Sequence, residues 1–177
     1  MDNEIKRIIS TLSSRVYGDI RAICAAGDLT QDRLEELIHS VVFDRVKLAI
    51  SFYKTAQTIN VQMDKQDGDY RSIISRCYYC HYHLARALVF LITKDDIDNH
   101  EELPKKLSKF LPSNYAIFID KLERYRRIRN EVDYSPYPEI YDSLNFVALE
   151  VLRETNVSIK LILQYFKERG VSIDANT

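Results

Sequence analysis

Glycine and proline are scarce in this sequence, with only four of each in 177 residues. Phosphate-binding loops of the P-loop or Rossmann type need several closely spaced glycines, so the glycine content excludes both. No window is apolar enough for a membrane span. The first residues also lack the apolar core and small-residue cleavage site of a signal peptide. The sequence therefore predicts a cytoplasmic protein without a membrane partner.

Net charge and cysteine are also low. The 25 Lys and Arg residues nearly balance the 26 Asp and Glu residues, which gives a formal net charge of -1. There is thus no global basic field for nucleic acid, and any attraction of anions must come from a local patch. Cys24, Cys77 and Cys80 form an odd set, which argues against a disulfide framework in a reducing compartment.

The composition is that of a folded, helix-rich chain, with 46% hydrophobic and 29% charged residues. Its length suits one buried domain with a helical extension better than two independent cores. Helical periodicity dominates, and Asp67-Gly68-Asp69 is the clearest predicted turn. The 29–63 segment could be one helix or two, and a bend near Ser40 is favoured. The predicted helices cover residues 3–26 (ending at Gly27), 29–63, 70–93, 101–110, 113–133 and 139–169.

These elements predict an all-α fold. The expected architecture is an antiparallel up-and-down helical bundle of four major helices plus an N-terminal helical extension. The extension is assigned to residues 1–39, the bundle to 40–170 and a C-terminal tail to 171–177.

Arg129 interrupts the apolar face of the fifth predicted helix. Phe118, Leu122, Tyr125 and Val132 recur at alternating spacings of four and three residues, and Arg129 occupies the remaining position of that stripe. Burying an unpaired guanidinium costs several kcal/mol. The position should therefore face a carboxylate, a subunit interface or an anionic ligand.

Arg129 belongs to a basic cluster that has two interpretations. The cluster could neutralise phosphates, or it could form a solvated face paired with nearby carboxylates, with Arg129 and Asp133 as an i,i+4 ion pair. For most of its members the solvated face is favoured, with Arg129 as the exception. The members are Lys121, Arg124, Arg126, Arg127 and Arg129.

The run Cys77-Tyr-Tyr-Cys80-His81 matches the attachment motif of c-type haem. Haem attachment requires an oxidising compartment, which nothing in the sequence signals. Both cysteines also lie on the apolar stripe of a long helix, where a small thiol is ordinary core filling. A zinc site would need a fourth ligand that is not apparent. We therefore expect core packing, without haem, metal or another cofactor.

Another face of the predicted helix over residues 70–93 carries Arg76, Tyr79, His83 and Arg86. His83 could act as a general base, because imidazole titrates near neutral pH. A hydrogen-bonded histidine at a helix contact is the structural alternative and is favoured. His100 carries less information, since it stands at a predicted helix start.

Two segments together resemble HEPN-domain proteins. Residues 68–88 resemble the signature helix of small bacterial and archaeal members, and residues 126–136 resemble their later arginine motif. With the flanking helices the resemblance covers about residues 40–167. It implies a homodimeric bundle whose arginine helices meet in a cleft. It also implies a toxin-antitoxin or defence context, often with a small nucleotidyltransferase as the partner, and for many members metal-independent endoribonuclease activity.

The family motif is arginine, a polar residue, a short spacer and histidine. Arg129 and Asn130 match its first two positions, but Tyr134 and the next two residues stand where the histidine is expected. Tyrosine, with a pKa near 10, is a poor base at neutral pH, and His83 is the candidate substitute. One hypothesis is therefore binding of RNA, a nucleotide or a partner protein in an Arg129-lined dimer cleft. The alternative is an endoribonuclease.

Each hypothesis has its own residues. For catalysis the sequence proposes Arg129, Asn130 and Tyr134, with His83 as a tentative base. For binding RNA or a nucleotide it proposes Arg76, Tyr79, Arg126 and Arg127.

Overall fold

The computed structural model describes residues 2–11, 17 and 30–171. Within these residues there is no β-strand, and the predicted all-α helical bundle is confirmed. Short 3-10 turns at Ser113–Tyr115 and Tyr141–Ser143 lead into the last two helices. The α-helices are α1 (Asp2–Ile9), α2 (Gln31–Asn60), α3 (Asp67–Thr93), α4 (Glu102–Phe110), α5 (Ala116–Tyr134) and α6 (Leu144–Glu168).

Helix α3 forms the centre of the bundle and packs against α2, α4, α5 and α6. It is buried on most of its circumference because apolar residues surround its axis, which is the pattern of a core helix. Its buried residues are Ile73, Ile74, Cys77, Tyr78, Cys80, His81, Tyr82, Leu84, Ala85, Ala87, Leu88, Val89 and Phe90.

Three pairs of long helices, α2 with α3, α3 with α5 and α5 with α6, run in opposite directions. In each pair, the residue numbers rise along one helix while the numbers of the residues that they contact fall along the other. These contacts join Arg45 to Arg86, Phe52 to Tyr79, Arg71 to Val132, Tyr79 to Arg129, Lys121 to Glu154 and Arg124 to Glu150.

Helix α2 is a single helix of 30 residues, so the favoured division by a bend near Ser40 is wrong. Its N-terminus is capped by Thr30, whose hydroxyl accepts a hydrogen bond from the Arg33 N–H at 3.3 Å. Neither glycine nor proline interrupts the sequence after that cap. A continuous buried face from Leu34 to Ala56 keeps the helix in one piece against α3.

The predicted turn at Asp67-Gly68-Asp69 is the first turn of α3 instead. The Asp69 carboxylate accepts a hydrogen bond from the Gln66 N–H at 2.9 Å. Both aspartates also lie at the helix N-terminus, where negative charge is favourable. The chain reverses just before, where Asp64 has a positive φ of 58°.

The C-terminal ends of α5 and α6 follow the sequence signals. Helix α5 ends at Tyr134, before Pro136, as predicted. Gly170, two residues after α6, has a φ of +75°, the left-handed conformation that glycine adopts readily. The predicted stop of the last helix is therefore confirmed.

The two ends of the chain are described only in part. Helix α1 ends at Ile9 and is followed by a turn, so the predicted continuous helix over 3–26 is wrong at this point. Most of its remainder, with Cys24 and Gly27, lies outside the described residues. The same holds for the predicted tail after residue 171. None of the described helices combines the length and apolarity that a membrane span requires.

Candidate functional site

The residues of the haem-like motif belong to the bundle core. Cys77 and Cys80 are free thiols and are fully buried, and burial raises the pKa of Cys77 to about 12. His81 donates a hydrogen bond from Nδ1 to the Cys77 carbonyl at 3.0 Å. Its ring packs against Phe118 and Tyr125. The predicted core packing of the cysteines is thus confirmed.

Metal ligands are not grouped in the described part of the chain. No three His, Cys, Asp or Glu side chains there lie close enough together to hold a metal ion. Burial also lowers the pKa of His81 to about 4, so its imidazole is neutral at pH 7.

Arg129 is held by partners on two helices. Its Nη2 donates to the Tyr79 hydroxyl on α3, and its Nη1 donates to Asn130 Oδ1 at 3.0 Å. Its Nε lies 2.8 Å from Asp133 Oδ2, so the i,i+4 ion pair is present. The Nε–H does not point at that oxygen and makes no hydrogen bond. Asp133 therefore neutralises the charge of Arg129, while the N–H group at Nε of Arg129 stays without an acceptor.

Three tyrosine rings surround the Arg129 guanidinium. Its Cζ lies 5.2 Å from the ring centroid of Tyr79, 5.3 Å from that of Tyr134 and 5.8 Å from that of Tyr78. These distances are in the range of cation–π attraction. Although burial acts to lower it, the neighbouring Tyr79 and Asp133 raise the pKa of Arg129 overall. The guanidinium is thus a fixed and permanent positive charge.

Arg129 lines a cleft of about 390 Å³ between α3, α5 and the loop before α4, here called the Arg129 cleft. Arg126 also lines it, one helical turn before Arg129, and forms a 3.0 Å ion pair with Glu101. The Arg126 Nε is buried and has no hydrogen-bond acceptor within the protein. The lining residues are Tyr78, Asn99, His100, Glu101, Arg126, Arg129 and Asn130.

His100 is the histidine that the structure brings to this cleft. Its Nδ1 is hydrogen bonded to the Tyr78 hydroxyl, and its ring stacks on Tyr82 at a centroid distance of 4.1 Å. Burial, followed by the positive charges of Arg129 and Arg126, lowers the pKa of His100. A lowered pKa keeps the ring neutral near pH 7, which a general base requires.

The position of His100 depends on contacts that sequence periodicity does not encode. The loop is held against α3 because Arg86 binds the Asp96 carboxylate through Nη2 at 2.6 Å. Nearby, the Tyr82 hydroxyl donates to the Asp98 carbonyl at 2.8 Å. The only signal in the sequence was the presence of a histidine at a helix start.

A second cleft of about 430 Å³ lies beside Tyr79. Arg76 and Tyr79 line it, as does Asp133, which accepts a hydrogen bond from the Ser75 hydroxyl. Tyr79 also accepts a hydrogen bond from Arg129, so this residue connects the second cleft to Arg129. Arg76 is exposed, with its guanidinium 5.5 Å from the Phe52 ring centroid.

The remaining proposed residues lie at different distances from this centre. Tyr134 is adjacent to Arg129, and 74% of it is exposed. Arg127 is exposed and does not line the Arg129 cleft. His83 lines a separate cavity and stacks on Phe52 at 5.4 Å, and burial lowers its pKa to about 4. The structure therefore does not bring His83 together with Arg129.

The arrangement combines two guanidinium groups, an imidazole with a lowered pKa and tyrosine rings around one open cleft. Such a set can bind a phosphate and stack a planar base. In comparisons with known proteins, the chain matches no protein-family model, no curated protein and no solved structure. The HEPN resemblance of its two motifs thus stays a prediction.

Proposed function

We propose that the Arg129 cleft binds the sugar-phosphate backbone of single-stranded RNA or of a nucleotide. The observation that carries this proposal is the convergence of Arg126, Arg129 and His100 in one cleft beside exposed tyrosine. The formal net charge of the chain is only -1. Attraction of an anion must therefore be local, and its source would be two adjacent arginines, for which the anion competes with Glu101 and Asp133.

The phosphate would be recognised by the arginines. They lie one turn apart on α5, and their side chains are 26% and 15% exposed. At such half-buried positions an ionic interaction is screened less than at the surface. Arg129 is also fixed in place by Tyr79 and Asp133, so little side-chain entropy is lost when a ligand binds.

The bases would be recognised by stacking. One side of Tyr134 is next to Arg129, while most of its surface is open to solvent. Base-aromatic stacking contributes about 1–3 kcal/mol per base in single-stranded nucleic-acid complexes. Tyr79 and Arg76 extend the surface into the neighbouring cleft. An open, aromatic and basic surface of this kind suits a single strand better than a duplex.

The proposal extends to the cellular setting through the HEPN resemblance. In that setting two copies bring their α5 helices together and make one dimer cleft. The homodimer acts in a toxin-antitoxin or defence module, in the cytoplasm, with a nucleotidyltransferase-type antitoxin as its partner.

The experiment is a titration of fluorescently labelled single-stranded RNA by fluorescence anisotropy, with Arg129→Gln, Arg126→Gln and Arg127→Gln compared at several salt concentrations. Each change removes one positive charge from α5, but Arg127 is exposed and outside the cleft. We expect about a tenfold or greater loss of affinity for the first two, with the slope of log K against log salt reduced by about 0.7. An equal effect of all three changes, or no binding by the wild type, would contradict the proposal.

A second candidate function is metal-independent endoribonuclease activity, and His100 is the observation that favours it. Nε2 of a neutral His100 would accept the proton of a ribose 2'-hydroxyl if Nδ1 donates to Tyr78. The 2'-oxygen then attacks the phosphorus, the bond to the 5'-oxygen breaks, and that oxygen takes a proton from water. Arg126 and Arg129 would stabilise the negative charge that develops on the phosphate.

The test for cleavage uses the same RNA in the presence of a chelator. A nuclease of this type releases a 2',3'-cyclic phosphate and a 5'-hydroxyl end. We expect His100→Ala to reduce the rate by about 100-fold or more, whereas His83→Ala leaves it nearly unchanged. Binding by the wild type without these products would leave the first function and reject the second.

A further inference from the structure

Asp96 binds two arginines at once. Its carboxylate lies 2.8 Å from Arg45 Nη2 and 2.6 Å from Arg86 Nη2. All three side chains are largely buried, with between 11% and 20% of each exposed. One carboxylate cannot neutralise two guanidinium groups, so this part of the bundle holds an excess positive charge away from bulk water.

The surroundings add more positive charge. The three residues line a cavity of about 470 Å³ between α1, α2 and α3, here called the α1 cavity. Lys6 and Arg7 line it from α1, and the one further carboxylate is Asp44, which lies 3.2 Å from Lys6. The described lining thus contains four cationic residues and two carboxylates, an excess of two positive charges within the lining, while Asp98 acts on Arg86 from outside it.

The arginines are held rigidly in this cavity. Besides Asp96, Arg45 Nη2 donates to the Ser10 carbonyl at 2.7 Å, and Nη1 donates to the Arg86 carbonyl at 3.4 Å. The Arg45 Cζ also lies 4.6 Å from the ring centroid of Phe90. Because these contacts fix the arginine, the positive charge cannot move out to solvent. An anion bound nearby would be attracted without a large loss of side-chain freedom.

We propose that the α1 cavity is a binding site for the phosphate group of a small phosphorylated molecule. It is independent of the Arg129 cleft, with which it shares no lining residue. Its volume is within the range of about 300–1,000 Å³ that is usual for small-molecule sites. Val41 and Leu48 supply apolar surface for the body of the ligand, and the His83 ring supplies a hydrogen-bonding edge.

The experiment measures thermal unfolding of the full chain with inorganic phosphate, and with sodium chloride at the same ionic strength as the reference. The test variant is Lys6→Ala/Arg7→Ala. The matched control is Lys105→Ala/Lys109→Ala, which removes the same two charges from exposed positions on α4. We expect phosphate to raise the Tm of the wild type and of the control by about 4 °C at roughly ten times the dissociation constant. The test variant should lose most of that rise.

A second measurement protects the test against poor folding of the variant. In wild-type protein, phosphate should shift the NMR signals of the His83 ring but leave those of the core residue His81 in place. Arg129→Gln should give the same shifts of the His83 signals, which separates this site from the proposed RNA site. Equal responses of the two double variants, or an unmoved His83 signal at saturating phosphate, would overturn the proposal.

Discussion

The Glu101 carboxylate forms a 3.0 Å ion pair with the Arg126 guanidinium in the Arg129 cleft. Glu101 is 68% exposed on its side chain, whereas Arg126 is 26% exposed. A phosphate that enters the cleft must compete with this carboxylate for Arg126. Glu101 can swing into solvent at little cost because an exposed ion pair is weak. Asp133, by contrast, is held to Arg129 and Ser75 together.

Glu101→Gln should therefore bind single-stranded RNA more tightly than the wild type, by about three- to tenfold at low salt. The change removes the competing negative charge while it keeps the length of the side chain. Fluorescence anisotropy at low and high salt measures the effect, which should shrink as salt screens the charges. Glu102→Gln, at the adjacent exposed position, is the control and should change the affinity less. Unchanged or weaker binding by Glu101→Gln would contradict the role of Glu101 as a competitor.

Arg71→Ala should destabilise the protein by about 2 kcal/mol. Arg71 Nη1 donates to the Ser135 carbonyl at 2.7 Å and also to the Val132 carbonyl, and Nη2 donates to the Pro136 carbonyl at 3.0 Å. These contacts satisfy carbonyls at the C-terminal end of α5, where a positive charge is also favourable. Urea unfolding gives the free energy of unfolding.

The control for that change is Arg76→Ala on the same helix. Arg76 is exposed, and its guanidinium contacts the Phe52 ring. Arg76→Ala should lower the free energy of unfolding by less than about 1 kcal/mol. Equal losses for the two variants would show that the carbonyl contacts of Arg71 do not stabilise α5.

His81 should make the stability of the bundle sensitive to acid. Its pKa is about 4 in the folded chain and near 6.5 without burial. Between these values the unfolded chain binds more protons, so stability falls as the pH falls from about 6.5 to 4. The contribution of this one group is about 3 kcal/mol, present above pH 6.5 and lost near pH 4.

His81→Phe should remove that contribution, because phenylalanine keeps a ring between Phe118 and Tyr125 but does not titrate. Urea unfolding at several pH values measures the slope of the unfolding free energy. Because burial also lowers the pKa of His83 to about 4, His81→Phe should reduce the slope without abolishing it, and an unchanged slope would assign the acid sensitivity to other groups.

Cys77 and Cys80 should resist thiol reagents while the protein is folded. Burial raises the pKa of both thiols, so the reactive thiolate is rare as well as inaccessible. In a Cys24→Ser variant, a colourimetric thiol reagent should detect no fast-reacting thiol under native conditions. It should detect both remaining cysteines after denaturation. Rapid labelling of the native variant would contradict the core position of the cysteines.

Residues at the helix ends show where sequence reasoning succeeded and where it failed. Pro136 and Gly170 ended α5 and α6 as predicted, because the effect of each is local to the backbone. The turn predicted at Gly68 was wrong, since Asp67 and Asp69 occupy the first turn of α3, where negative charge is favourable and Asp69 accepts a hydrogen bond from the Gln66 N–H. The bend near Ser40 was wrong because burial along one face of α2 extends through that point.

The sequence by itself determined the all-α class, most helix bounds and the unusual position of Arg129, because periodicity and capping act within a few residues. It also located the cysteines in the core, since their place on the apolar stripe of α3 follows from the helical repeat. Only the tertiary structure decided which residues outside α5 meet Arg129. The loop that carries His100 and Glu101 reaches the cleft through contacts of Asp96 with Arg86 and of Tyr82 with the backbone. His83, on the same helix as Tyr79, faces another cavity. Such neighbours depend on long-range packing of side chains, which local periodicity does not specify.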